Sequence, residues 1–182
     1  MRFAPDTEYT LAFTVALGNT HPNASRSGTE ELDSVRALMS LIDEYRFSGR
    51  RDRNSPELSD VRSARDRIRT AWTLDRDDMA GEINAMLRDA NALPQLARHD
   101  GMDWHLHATN PEAPLAERIR VEVALALLDV VRSDETDRLR VCDADDCEGL
   151  LVDLSRNGSK RYCSVRCGNR MNMIAFRERA AG

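Results

Sequence analysis

A chain of 182 residues suits one ordinary domain with a small appendage, or one slightly large domain. Its 41% hydrophobic and 31% charged residues give a soluble globular profile, and no run approaches the roughly 18 apolar residues that cross a bilayer. The net charge of −5 hides an asymmetry: residues 156–182 carry seven basic side chains against the single acid Glu178, so this tail is +6 and residues 1–155 are −11. The tail can contact phosphate although the whole chain is acidic.

The stretch from Met1 to Gly18 is interrupted by Asp6 and Glu8 and lacks a basic start. It does not read as a signal peptide, and the cytoplasm is the expected compartment. Residues 8–18 form an apolar run ending at Gly18, which suits a buried helix or a strand. Residues 19–28 are rich in Asn, Pro, Ser and Gly and read as a loop. Leu38, Leu41, Ile42 and Tyr45 recur at helical spacing and predict a helix over 32–45. The arginine-rich segment 48–54 reads as an exposed connection. Ser55 as cap and Pro56 at the first helical position then open a helix that runs to about Leu74. A further helix runs from Asp77 or Asp78 to Asp89, with Met79, Ile83, Met86 and Leu87 apolar.

Around the Asp100-Gly101 turn signal the period changes to that of a hairpin, with Gln95–His99 and Met102–His107 as its arms. Met102, Trp104 and Leu106 share one face; Asp103, His105 and His107 share the other. The histidine face could be a metal or catalytic cluster, but it reads first as the polar face of an exposed hairpin. Trp72 and Trp104 are expected in the core or a pocket wall. The longest apolar helix follows over 114–131, with Ile119, Val123, Leu127 and Val130 as its stripe.

All four cysteines lie between 142 and 167. Four residues separate Cys142 from Cys147, fifteen form the spacer, and three separate Cys163 from Cys167. Two close pairs with a spacer suit a tetrahedral thiolate site: each pair supplies two sulfurs from one turn, and the spacer lets the pairs face each other. Four soft thiolates favour zinc, and a closed shell leaves it no chemistry to perform. Disulfides belong to secreted chains, and free core thiols would be scattered. In the spacer, Leu150–Leu154 reads as a strand, Asn157-Gly158 as a turn and Lys160–Tyr162 as the return strand. A helix from Ser164 to about Arg179 opens at the second pair. The fold class is thus mainly α: a helical N-terminal domain with a small β-hairpin over 1–138, then a treble-clef-like zinc finger of hairpin and helix over 139–182. One structural zinc ion would supply much of the finger's folding energy, and chelation is expected to unfold the finger while sparing the helices.

Cys163-Ser-Val-Arg-Cys167-Gly168-Asn169-Arg170, preceded by Val152-Asp153-Leu154-Ser155-Arg156-Asn157, resembles the CGNR zinc finger family. Leu11-Ala-Phe13, Gly18-Asn19-Thr20 and Glu31-Leu32-Asp33 resemble the opening of the ABATE domain, which precedes that finger in chains described as stress-induced transcription regulators. The family commonly places four residues between the third and fourth cysteines, where this chain has three. The resemblance implies four cysteine ligands and a DNA-binding role.

Arg156, Lys160, Arg161, Arg166, Asn169, Arg170 and Arg177 are the candidate nucleic-acid contacts, because arginine pairs bidentately with phosphate and arginine or asparagine can read base edges. Asn169 and Arg170 also sit where they could fix the knuckle backbone or dock the finger. The expected function is zinc-dependent transcription regulation, with DNA as partner and the N-terminal domain sensing an effector or assembling a homodimer. The alternative is a protein-interaction module with a purely structural finger. DNA binding predicts Arg166, Arg170 and Arg177 exposed on one face; docking predicts that face buried. No nucleophile elbow or phosphate loop is present, and neither an enzyme nor a membrane partner is expected.

Overall fold

The computed structural model describes residues 3–24, 27–98 and 103–181. Helix α1 spans Pro5–Gly18, so the apolar run whose period left helix and strand open is helical. Helix α2 spans Val35–Glu44 and starts where Ser34 Oγ accepts the Ala37 N–H. Helix α3 spans Ser55–Trp72. Its cap is Asn54, not the expected Ser55: Asn54 Oδ1 accepts the Glu57 N–H at 2.9 Å, and the Glu57 carboxylate reaches back to the N–H groups of Asp52 and Arg53. Asn54 thus satisfies one of the donors that a helix start leaves open, and Glu57 ties down the segment leading into the helix. Helix α4 spans Arg76–Asp89, capped by Asp75.

Strands β1 (Gln95–Ala97) and β2 (His105–His107) pair antiparallel, with Leu96 opposite Leu106. The Asp100-Gly101 turn and Met102 lie outside the described residues. The polarity of this hairpin is opposite to the expectation. His105 is buried, whereas Trp104, Leu96 and Leu106 are exposed, so Trp104 is neither core nor pocket wall. Trp72 is buried as expected.

Helix α5 spans Leu115–Arg132 and packs against α1, α3 and α4. Ile119, Val123, Leu127 and Val130 are all fully buried in it. At ~1.5–3 kcal/mol for each large apolar side chain removed from water, this stripe anchors the helical layer. Among the described residues no helix is long and apolar enough to cross a membrane.

After a single 3₁₀ turn at Thr136–Arg138, β3 (Leu139–Val141) pairs antiparallel with β4 (Leu150–Val152). The second hairpin is therefore Leu139–Val152 with the first cysteine pair in its connection; residues 160–162 form no strand. Buried Asp153 explains the difference. Its carboxylate accepts the N–H of Ser155 at 2.9 Å and of Lys160 at 2.7 Å, so the return segment is tied to a side chain instead of a strand edge. The Asn157-Gly158 turn does form, with Gly158 at φ +59°. Helix α6 (Val165–Ala181) ends the described chain. The molecule is mainly α, with two small hairpins and the cysteines gathered at its C-terminal end.

Candidate metal centre

Strand β4 faces two ways. Leu150 and Val152 join Leu139 in the helical core, while Leu151 between them packs with Cys142, Ala144 and Cys167. Alternation along a strand thus puts helical core on one face and cysteine cluster on the other.

Each cysteine is placed by a local device. Cys142 directly follows β3, and its N–H donates to Gly149 O at 2.7 Å, closing the knuckle. Cys147 follows a turn whose N–H bond runs back to Ala144 O. Ser164 Oγ accepts the Cys167 N–H at 3.2 Å and so starts α6. Cys163 and Cys167 are thereby one helical turn apart, so the three-residue spacing still turns both sulfurs to one side. Gly149 lies against the cluster: a Cβ there would stand 2.7 Å from Cys163 Sγ and 3.2 Å from Cys147 Sγ, leaving no room for any other residue.

The four sulfurs all lie within 4.8 Å of one another. Zinc–sulfur bonds of about 2.3 Å put tetrahedral neighbours about 3.8 Å apart. Cys147 and Cys163 Sγ are 3.6 Å apart, and Cys163 and Cys167 Sγ are 3.8 Å apart. Gly149 N–H points at Cys147 Sγ and Cys163 N–H at Cys142 Sγ, each at 3.4 Å. Such outer-shell donors spread the charge of metal-bound thiolates. Burial pushes the Cys163 thiol far above the usual range. Four thiolates at these separations repel one another, and a soft dication between them offsets their charge.

Arg170, the last residue of the Cys-Gly-Asn-Arg run, pairs with Asp146 in the knuckle and brings Nη2 to 3.9 Å from Cys167 Sγ. Gly168 packs flat against the Tyr162 ring, which a Cβ would approach to 3.3 Å. Arg170 thus clamps α6 onto the first cysteine pair.

Asn19, Arg69 and Trp72 dock the finger on the helices. Asn19 bonds both backbone groups of Leu150; Arg69 bridges Gly18 O and Glu148 O; Trp72 Nε1 donates to Arg140 O at 3.1 Å. Gly18 permits the contact, since a Cβ there would meet Leu150 Cδ1 at 2.6 Å. Sequence reasoning marked Gly18-Asn19 only through a family likeness and gave Arg69 no role.

Residues 138–180 match the CGNR zinc finger family, and residues 11–134 match the family described as "Putative stress-induced transcription regulator" (ABATE). The chain belongs to the ABATE family, with a CGNR zinc finger at its C-terminal end. The four cysteines of the CGNR finger form one structural zinc site. All four coordination positions are filled by thiolate, so the ion organises the knuckle and leaves no position for a substrate. No curated protein matches the chain significantly.

The other CGNR-finger residues singled out in the sequence are dispersed over its outer surface. Arg156, Lys160, Arg161, Arg166, Asn169 and Arg177 are exposed, and Arg170 is half-buried. Arg161 pairs with Asp143 at 2.8 Å and stacks on Tyr162. Positions 166, 170 and 177 fall on one side of α6 by helical spacing. An open groove of about 410 Å³ separates α3 from the knuckle, lined by His21, Asp66, Arg69, Thr70, Thr73 and Glu148.

Proposed function

We propose that this protein is a non-enzymatic transcription regulator that contacts DNA through the arginine side of α6. In this reading it divides at about residue 138 into a sensing or assembling helical part and a DNA-contacting finger. The observation that carries it is the placement of Arg166 and Arg177: both exposed on one side of one helix rooted at a zinc ligand, with Arg170, half-buried and paired with Asp146, on the same side. A zinc-fixed helix loses little conformational freedom on entering a groove, so its charges act at low entropic cost. Arg156 and Lys160, on the Asp153-tied loop, extend the same positive potential. Family membership supports regulation as the role.

The test is a fluorescence-anisotropy titration of duplex DNA at several salt concentrations. Replacing Arg166 and Arg177 by alanine is expected to weaken binding. It should also flatten log K against log salt by about 0.9 for each phosphate that is no longer neutralised. Equal affinity and slope in the double variant overturn the reading. A second reading has its own observation. Val165, Met173 and Phe176 are exposed at 80%, 52% and 60% on the neighbouring side of α6, an apolar strip suited to a protein partner. That reading expects Phe176→Ala to abolish partner binding with DNA affinity unchanged.

A further inference from the structure

The β1/β2 hairpin turns its polar face inward and its apolar face to solvent. His105 is buried, and His107 pairs with Glu122 of α5 at 3.0 Å, which fixes the hairpin to the helical layer. The Leu93 N–H donates to Ala108 O at 3.0 Å and extends the ladder beyond β1. On the outer side Leu96 stands opposite Leu106, and Trp104, two residues before Leu106, shares their face by strand alternation. Leu93, Leu96, Trp104 and Leu106 are exposed at 71%, 66%, 63% and 42%.

Together these four residues expose on the order of 500 Å², at the upper end of what a monomer leaves open. Two such faces laid together bury roughly 1,000 Å² from these residues alone, the size at which specific interfaces begin. The charge pattern selects a second copy as the occupant. Residues 1–155 carry −11, so copies of the chain repel through most of their surface, and nucleic acid or an anionic lipid is repelled as well. Residues 93–98 and 103–108 carry, apart from the histidines, one base and one acid, Arg98 and Asp103. Both lie at the same end of the hairpin, 65% and 88% exposed, and their own approach is only 3.9 Å.

A neutral face with an apolar centre and one charge of each sign is complementary to itself. Stacked sheets lie about 10 Å apart. About a twofold axis running along the strands between two such sheets, each rung of one copy meets the same rung of the other with its two strands exchanged. Leu96 of each copy then lies over Leu106 of the other, following the Leu96–Leu106 pairing. One rung beyond the Ala97–His105 pair, Arg98 of each copy reaches Trp104 of the other, with the opposing Asp103 beside it.

We propose that this face is a homodimer surface, on which two copies of the chain stack hairpin on hairpin about a twofold axis. It gives the assembling role of the helical part a location, and it holds whether or not α6 contacts DNA. Because the hairpin is already tied to α5, little order is lost on association.

The test is sedimentation equilibrium of the full-length, zinc-loaded protein without DNA, from about 1 to about 200 µM, a range that brackets a micromolar Kd. Wild type is expected to pass from 20.5 kDa to twice that mass. Trp104→Ser is expected to raise the dimer Kd by about a hundredfold or more, since the anchor is lost twice across the axis. Arg98→Asp sets two acids against each other at both ends of the axis and is expected to weaken the dimer by about tenfold. Arg98→Asp combined with Asp103→Arg is expected to restore it, which a merely misfolded hairpin would not do. A wild type that stays at 20.5 kDa throughout overturns the proposal. Unchanged dimerisation in Trp104→Ser also overturns it, by placing the contact on another face, and no recovery in the charge-swapped variant overturns the twofold stacking.

Discussion

The carboxamide of Asn19 gives Leu150 what a neighbouring strand would give: it accepts the Leu150 N–H at 2.7 Å and donates to Leu150 O at 3.0 Å. Asn19→Ala leaves both backbone groups of a buried strand residue unpaired, so it is expected to cost about 1–3 kcal/mol in denaturant unfolding. Asn19→Asp keeps the acceptor and should cost less than Asn19→Ala; an alanine variant as stable as wild type would remove Asn19 from the interface account. Glu30 is placed similarly. Burial pushes its pKa up, but the Arg65 guanidinium at 2.6 and 2.9 Å and the Leu32 N–H outweigh that and hold it below the usual range. Asp153 is also held low, its burial outweighed by the N–H groups of Ser155 and Lys160 and by the charge of Arg140. A carboxyl depressed in the folded state stabilises fully above its unfolded value, about 4.3 for Glu and 3.9 for Asp. That stability is lost as pH falls through the lower folded values. Stability is therefore expected to decline below about pH 4, and Glu30→Gln should flatten the decline in urea titrations at pH 3–7.

At the scale of elements, α6 has among its described side chains no buried apolar one beyond Cys167, and Met171 is only partly covered. A single helix of this kind is marginal in water, so its order depends on the metal knuckle. Cys167→Ser is expected to bring zinc below one ion per chain in elemental analysis. Circular dichroism should lose helix amounting to one element, while a variant that keeps both zinc and helicity would contradict the dependence. The cysteine spacing carried the metal in the sequence because ligand chemistry is local: two turns and a spacer suffice to specify it. Helices α3, α4 and α5 were legible for a similar reason, since the apolar stripe of each lies within one element, although the caps Asn54 and Asp75 were not anticipated. The two hairpins were less legible. Strand Leu150–Val152 is plain in the sequence, but its partner is chosen by Asp153, which captures Lys160 N–H and removes residues 160–162 from pairing. The β1/β2 arms were found by period, but period gives two faces without saying which is inward. Glu122, contributed by a helix 15 residues beyond His107, turns the histidine face in.

For the whole molecule, the finger and the helices share one apolar core, because Leu139, Leu150 and Val152 are part of it. The expectation that chelation spares the helical part is thereby refined. Removing zinc is expected to abolish hydrogen-exchange protection in α6 and in the knuckle, and also to lower it at the end of α1, where Gly18 and Asn19 contact Leu150. Helix α5, covered by α1, α3 and α4, should keep its protection. Full protection at residues 15–19 after chelation would show that the two parts are independent.

Strand β4 turns Leu150 towards α1 and the next residue, Leu151, towards the cysteines. A three-residue strand that is gripped on both faces cannot slide without disturbing one of them. Helix α6 has 17 residues and is held near its first turns, so it projects about 25 Å as an arm. By leverage alone, a tilt of about 5° at the root of such an arm would move its tip by about 2 Å. The zinc is then a fulcrum. If α6 contacts DNA as proposed, the seating of Leu150 against the end of α1 would set the reach of Arg177, because any tilt at the root of the arm grows along its length.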